Sequence, residues 1–133
     1  MQGGCYCGAL RYEVSGKPVF KAQCHCRACT QYAGGAPNLF MAVPEAGFRY
    51  TAGIPAQFTR DVDAKATRDF CATCGTQLVS RRKGMGLVMI KVGTLDAPEE
   101  FKAPRAAIFV GEKQPFHQIP EDLPQFEGRP PLG

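Results

Sequence analysis

Tryptophan is absent from this chain, histidine occurs only twice, and no apolar run approaches the roughly 18 residues that a membrane-spanning helix requires. No segment of about a dozen residues free of glycine and proline sustains a 3.6-residue apolar period, which leaves very little room for helix. The N-terminal MQGGCYCG has neither the basic region nor the apolar region of a secretory signal. These absences predict a cytoplasmic protein with no membrane partner.

What remains reads as β structure. The 133 residues suit one domain spanning 1–133, and 44% hydrophobic with 21% charged residues is ordinary for a globular chain. Fifteen glycines and eleven prolines punctuate short runs of period-two alternation, the mark of half-buried strands. Leu10, Tyr12 and Val14 alternate with Arg11 and Glu13, and a second strand starts at Val19. Further strands are expected at 38–43, 48–51, 57–60, 66–70, 77–80, 87–92 and 106–110, with one short helical turn at 27–32. The fold class is therefore all-β, and exposed strand edges permit a homodimer. From Pro120 onward Pro124, Gly128, Pro130, Pro131 and Gly133 oppose regular structure. A tail over about 120–133 should wrap the core through Leu123 and Phe126.

The chemistry lies in seven cysteines, grouped as Cys5-x-Cys7, Cys24-x-Cys26-x-x-Cys29 and Cys71-x-x-Cys74. In a reducing compartment, an odd number of closely spaced cysteines fits metal ligation better than disulfides. A closed tetrahedral zinc takes four ligands, whereas a catalytic zinc keeps three and an open position. Seven divides as four and three. Cys5, Cys7, Cys71 and Cys74 then form a structural site stapling the two halves of the chain, and Cys24, Cys26 and Cys29 hold a second, catalytic zinc. In Phe70-Cys71-Ala72-Thr73-Cys74-Gly75, the glycine is expected to close a tight knuckle with positive φ. Cys5 and Cys7 in an extended strand would share a face.

Structural zinc contributes on the order of 10–16 kcal/mol in small zinc peptides, comparable with the stability of a whole domain. Metal thiolates also change the charge balance. Four thiolates on one Zn2+ and three on another reduce the formal +4 to about +1, which argues against nucleic acid as a partner.

The triplet admits other readings: a metal-free redox or metal-buffering cluster, or a site closed by a fourth ligand such as His25. An iron–sulfur cluster fits poorly, because the spacing matches neither common ferredoxin pattern. In an extended Cys-x-Cys stretch His25 should point away from its neighbours' sulfurs, toward packing or hydrogen bonding. His117, beside Phe116, reads as ordinary packing or exposure.

GCYCGALRYEVSG (4–16), CHCRAC (24–29), FCATCG (70–75), GTLDAP (93–98) and IPEDLPQFEG (119–128) together resemble the glutathione-dependent formaldehyde-activating family, whose relatives include centromere protein V. The resemblance covers nearly the whole chain. It implies a β-tent fold of layered antiparallel sheets, with zinc on Cys5, Cys7, Cys71 and Cys74 and a second zinc on Cys24, Cys26 and Cys29. It further implies a carbon–sulfur lyase that joins a small thiol such as glutathione to a small aldehyde, formaldehyde, or releases it. Two features differ from relatives: Thr30 directly follows the triplet where a basic residue is frequent, and Phe116 stands in place of a Pro-Trp. Glutathione's carboxylates would need cations, and Lys21, Arg27, Arg68 and the cluster Arg81-Arg82-Lys83 are candidates by charge, although 81–83 also reads as a solvated hairpin loop. The rival function is a non-catalytic zinc module that binds protein or nucleic acid.

Overall fold

The computed structural model describes residues 1–60 and 66–130. Its strands, in chain order, are β1 (Gln2–Gly4), β2 (Arg11–Val14), β3 (Phe20–Cys24), β4 (Asn38–Pro44), β5 (Phe48–Ala52), β6 (Ala56–Thr59), β7 (Ala66–Phe70), β8 (Gln77–Arg82), β9 (Leu87–Lys91) and β10 (Ala106–Ile108). One α-helix, α1 (Arg27–Tyr32), follows β3. Among the described residues no helix is long and apolar enough to cross a membrane. The strands form a three-stranded sheet, β1-β2-β5, and a seven-stranded sheet, β10-β3-β4-β9-β8-β7-β6. Pairing is antiparallel except at one edge, where β10 runs parallel to β3.

β4 explains why two cores exist. Its sequence NLFMAVP is nearly continuous in apolar residues, as expected of a strand covered on both faces. Met41 and Val43 join Val88 and Ile90 of β9, Leu78 and Val79 of β8, and Leu10, Tyr12 and Val14 in the core under the small sheet. Phe40 and Ala42 point the other way, toward Ala22, Cys24, Ala106 and Ile108, with Leu87, Met89 and Phe126 packed alongside. The first core contains Cys5 and Cys71, and the second contains Cys24.

Several motifs that are distant in sequence meet here. Tyr12 is almost fully buried, and its hydroxyl lies 2.7 Å from Thr94 Oγ1. Arg11 pairs with Asp96, whose backbone N–H donates to Gln2 O at 2.9 Å. Gly3 is squeezed between them: a Cβ there would lie 2.3 Å from Thr94 O and 2.4 Å from the Tyr12 hydroxyl. The C-terminal segment does wrap, and more regularly than its prolines suggest. Ala107 donates to Pro124 O at 2.9 Å and Phe126 donates back to Ala107 O at 2.9 Å, extending the sheet beyond β10 by a bridge. Pro131 and Gly133 lie outside the described residues.

Candidate metal centres

The first and last cysteine pairs converge as the spacing required. Cys5, Cys7, Cys71 and Cys74 place their sulfurs within 4.8 Å of one another. The separations Cys5–Cys7, 3.6 Å, and Cys7–Cys71, 3.7 Å, are too long for a disulfide and close to the edge of a tetrahedron. Zn–S bonds of about 2.3 Å put ligand sulfurs about 3.8 Å apart. This donor set fits zinc.

The two clips share one backbone design. Cys71 N–H donates to Thr76 O at 2.9 Å and Gly75 N–H to Cys71 O at 2.8 Å, with Gly75 at φ 79° as expected. At the other clip Cys5 N–H donates to Leu10 O and Gly8 N–H to Cys5 O, both at 3.1 Å, with Gly8 at φ 82°. Cys5-Tyr6-Cys7 is therefore a turn and not the extended strand expected; β1 stops at Gly4. The turn also frees backbone donors for sulfur: Leu10 N–H donates to Cys5 Sγ at 3.2 Å and Cys74 N–H to Cys71 Sγ at 3.4 Å. Cys74 has its thiol lowered to about 5, first by the Thr76 hydroxyl 3.2 Å away. Such donors favour the anionic sulfur that a metal needs.

The second group is Cys24, Cys26 and Cys29, again within 4.8 Å of one another. Cys24 ends β3, opposite Asn38 in register. Cys26 is the N-cap of α1, its sulfur accepting from Cys29 N–H at 3.3 Å, and Glu112 accepts from Arg27 N–H at 2.9 Å. A short helix turn thus aims Cys26 and Cys29 at the sulfur delivered by the strand. All seven cysteines are free thiols. Among the described residues no fourth cysteine, histidine or carboxylate joins this group. Three thiolates in one hemisphere fit a zinc with a vacant corner.

His25 does not close the site. It is fully buried and points away from the sulfurs. Its Nδ1 lies 2.9 Å from His117 Nδ1, and its Nε2 lies 3.0 Å from Gln23 Nε2. His117 Nε2 faces Gly35 O at 3.0 Å, which accepts only, so His117 carries its proton there. His117 Nδ1 then accepts from Gln114 N–H at 3.2 Å and from His25 Nδ1–H, leaving His25 Nε2 to accept from Gln23. Both imidazoles are satisfied as neutral rings. Burial, followed by the neighbouring His117, holds the His25 pKa below its ordinary value, consistent with that tautomer chain. His117 is thus one end of a buried relay joining β3, the Gly34–Gly35 loop and the C-terminal segment, more specific than the ordinary packing or exposure expected of it.

Two cations, Lys91 and Arg68, lie near the sulfurs. Lys91 Nζ donates to Asn38 Oδ1 at 2.9 Å, and Asn38 Nδ2 faces Cys29 Sγ at 3.9 Å. The Arg68 guanidinium stacks 4.1 Å over the Tyr32 ring, and its Nη1 is buried without a hydrogen-bond partner. The Cys29 thiol is lowered to about 2, chiefly by Cys24 and Cys26 and then by the charges of Lys91 and Arg68. Cys24 is driven in the opposite direction by the same two neighbours. Lys91, in turn, is lowered by burial.

The other cations proposed from sequence are placed differently. Lys21 Nζ donates to Phe101 O at 2.8 Å and caps that ring, and Arg27 is exposed on α1. Arg81 and Arg82 belong to β8 and not to a hairpin loop; only Lys83 lies in the turn. Arg81 pairs with the fully buried Asp69, which also accepts from Tyr50 at 2.6 Å and Gln57 at 3.0 Å. Lys91 and Asn38 escaped notice in the sequence, although a lone charge inside LVMIKV is the signal that could have found Lys91.

In three dimensions the chain is similar to a Rhodobacter sphaeroides protein of known crystal structure, with 22% identity and a TM-score of 0.62, covering 73% of this chain and 89% of that one. At that identity the likeness bears on the fold. Residues 1–112, which carry all seven cysteines, match the family described as glutathione-dependent formaldehyde-activating enzyme.

Proposed function

Because the chain belongs to the family of glutathione-dependent formaldehyde-activating enzymes, we propose that it is a zinc-dependent carbon–sulfur lyase joining a small thiol such as glutathione to a small aldehyde, or releasing it. Cys5, Cys7, Cys71 and Cys74 hold a structural zinc, and Cys24, Cys26 and Cys29 hold a catalytic one. The observation that carries this reading is the inequality of the donor sets: four sulfurs suffice to close one tetrahedron, while three sulfurs with no fourth donor among the described residues leave the other incomplete.

A zinc ion bound by the three thiolates supplies an acceptor for a visiting sulfur and lowers the pKa of its thiol. The chain's own residues set up the rest. Asn38 fixes Cys29 and Lys91 relative to one another, and the Cys26 cap fixes the helix turn on which Cys29 rides. Lys91 and Arg68 supply positive charge where thiolate gathers. In the addition the substrate's S–H bond breaks, a C–S bond forms, and the proton finishes on the former aldehyde oxygen. No electrons are exchanged, so no redox partner is required.

The test is consumption of formaldehyde with glutathione, followed by proton NMR, for the zinc-loaded chain and for Cys26→Ser. Accelerated approach to the S-hydroxymethyl adduct, lost in Cys26→Ser, supports the proposal. Full turnover in that variant contradicts it.

A further inference from the structure

Among the described residues, three ion pairs are formed: Arg11 with Asp96, Arg49 with Glu13, and Arg81 with Asp69. Neither Lys91 nor Arg68 is in any of them. Both stand instead beside the three-sulfur group. Lys91 reaches it through Asn38, and Arg68 through Tyr32, which follows Cys29 by three residues and so shares its face of α1. Among the described residues the buried Arg68 Nη1 has no hydrogen-bond partner.

A buried guanidinium N–H without a partner is costly unless a ligand completes it. Stacking on Tyr32 fixes the plane of the guanidinium, so that its N–H fork can present two parallel donors to a planar oxyanion. Building on the thiol-binding function above, we propose that Arg68, assisted by Lys91, is a carboxylate-recognition subsite that selects thiols carrying a carboxylate within reach of their sulfur. In that pose the sulfur lies toward the three cysteines and the carboxylate toward Arg68. The source is the thiol's own carboxylate and not a separate anion, because Arg68 stacks on the helix turn that carries Cys29 and Lys91 is linked to Cys29 through Asn38.

The experiment titrates the 133-residue chain, loaded with cobalt in place of zinc, with two thiols of similar size: 3-mercaptopropionate, which carries a carboxylate, and 2-mercaptoethanol, which does not. The readout is the sulfur-to-cobalt charge-transfer band, independent of turnover. Once corrected for thiol pKa, binding of 3-mercaptopropionate should be about tenfold tighter, as one charge-assisted contact provides. This ratio should shrink as salt is raised. In Arg68→Gln the ratio should fall to about one, and Arg68→Lys should keep part of it. Should Arg68→Gln not fold, the salt dependence of the wild-type ratio and the Arg68→Lys ratio decide. Acetate or inorganic phosphate added alone should leave the band of the mercaptoethanol complex unchanged. Equal affinity for the two thiols in the wild type, or a preference that survives Arg68→Gln, overturns the subsite while leaving thiol binding intact. If neither thiol alters the band of a fully loaded protein, thiol binding itself fails, and the subsite with it.

Discussion

The two cysteine groups occupy opposite faces of one seven-stranded sheet, and their surroundings differ as much as their ligand counts. The four-sulfur group sits at the edge of the larger core and joins residues 5–7 to residues 71–74, so that an ion there closes a loop through half the chain. Its sulfurs are served by local turn amides. The three-sulfur group lies within six residues of sequence, against the smaller core of Ala22, Phe40, Ala42, Ala106 and Ile108, and has cations nearby. A ligand set that spans the fold contributes to stability. One confined to a strand end and the helix turn that follows it contributes little, and would be free to exchange a remaining corner. Separation in sequence, as much as the number of sulfurs, therefore distinguishes the two.

The strongest way to break this contrast is to remove one sulfur from each group. Cys71→Ser opens the spanning site, and the coupling at stake, on the order of 10 kcal/mol, is comparable with the stability of a whole domain. Circular dichroism should show no cooperative melt for the variant, or for wild type held in strong chelator. A cooperative melt retained by both would make the four-sulfur site dispensable.

A smaller effect is expected at Arg81→Met, which leaves Asp69 fully buried with only Tyr50 and Gln57 as donors. Breaking a buried pair from one side costs about 3–5 kcal/mol, read in urea unfolding. Since Asp69 lies two residues before Cys71, the loss should also weaken the four-sulfur site and leave the thiol response of the other unchanged. The converse is expected at His117→Ala, which strips partners from His25, Gln114 N–H and Gly35 O. Unsatisfied buried groups of this kind cost about 1–3 kcal/mol. Metal release from the three-sulfur group, followed with a colorimetric chelator, should be faster, while release from the four-sulfur group is unchanged.

The least effect on folding belongs to Cys26→Ser. Serine is a good helix cap and can replace the sulfur as acceptor of Cys29 N–H, so stability should change by about 1 kcal/mol or less. One metal ion per chain should be lost all the same. A large drop in melting temperature would erase the distinction between the two groups.

Much of this was legible in the sequence for identifiable reasons. Cysteine spacing determines which sulfurs can reach one ion, and Gly75 announces its turn because only a residue without a Cβ adopts φ 79° at no cost. Alternation located most of the strands, and the short helical turn at 27–32 was expected where α1 lies. Other features have no local signature. Cys5-Tyr6-Cys7 could be extended or a turn until Leu10 is seen pairing with Cys5. The partnership of His25 with His117 spans 92 positions and leaves no periodic trace. Arg81 reads as solvated because Asp69, its partner, lies on the neighbouring strand.

The most direct measurement is a cobalt titration of the metal-free chain, with the d–d and charge-transfer bands recorded before and after addition of glutathione. Two ions per chain are expected, both in tetrahedral thiolate fields, with only one band set shifting as the thiol is added. A single ion per chain, or two whose spectra are equally indifferent to thiol, would contradict the division into a closed and an open centre.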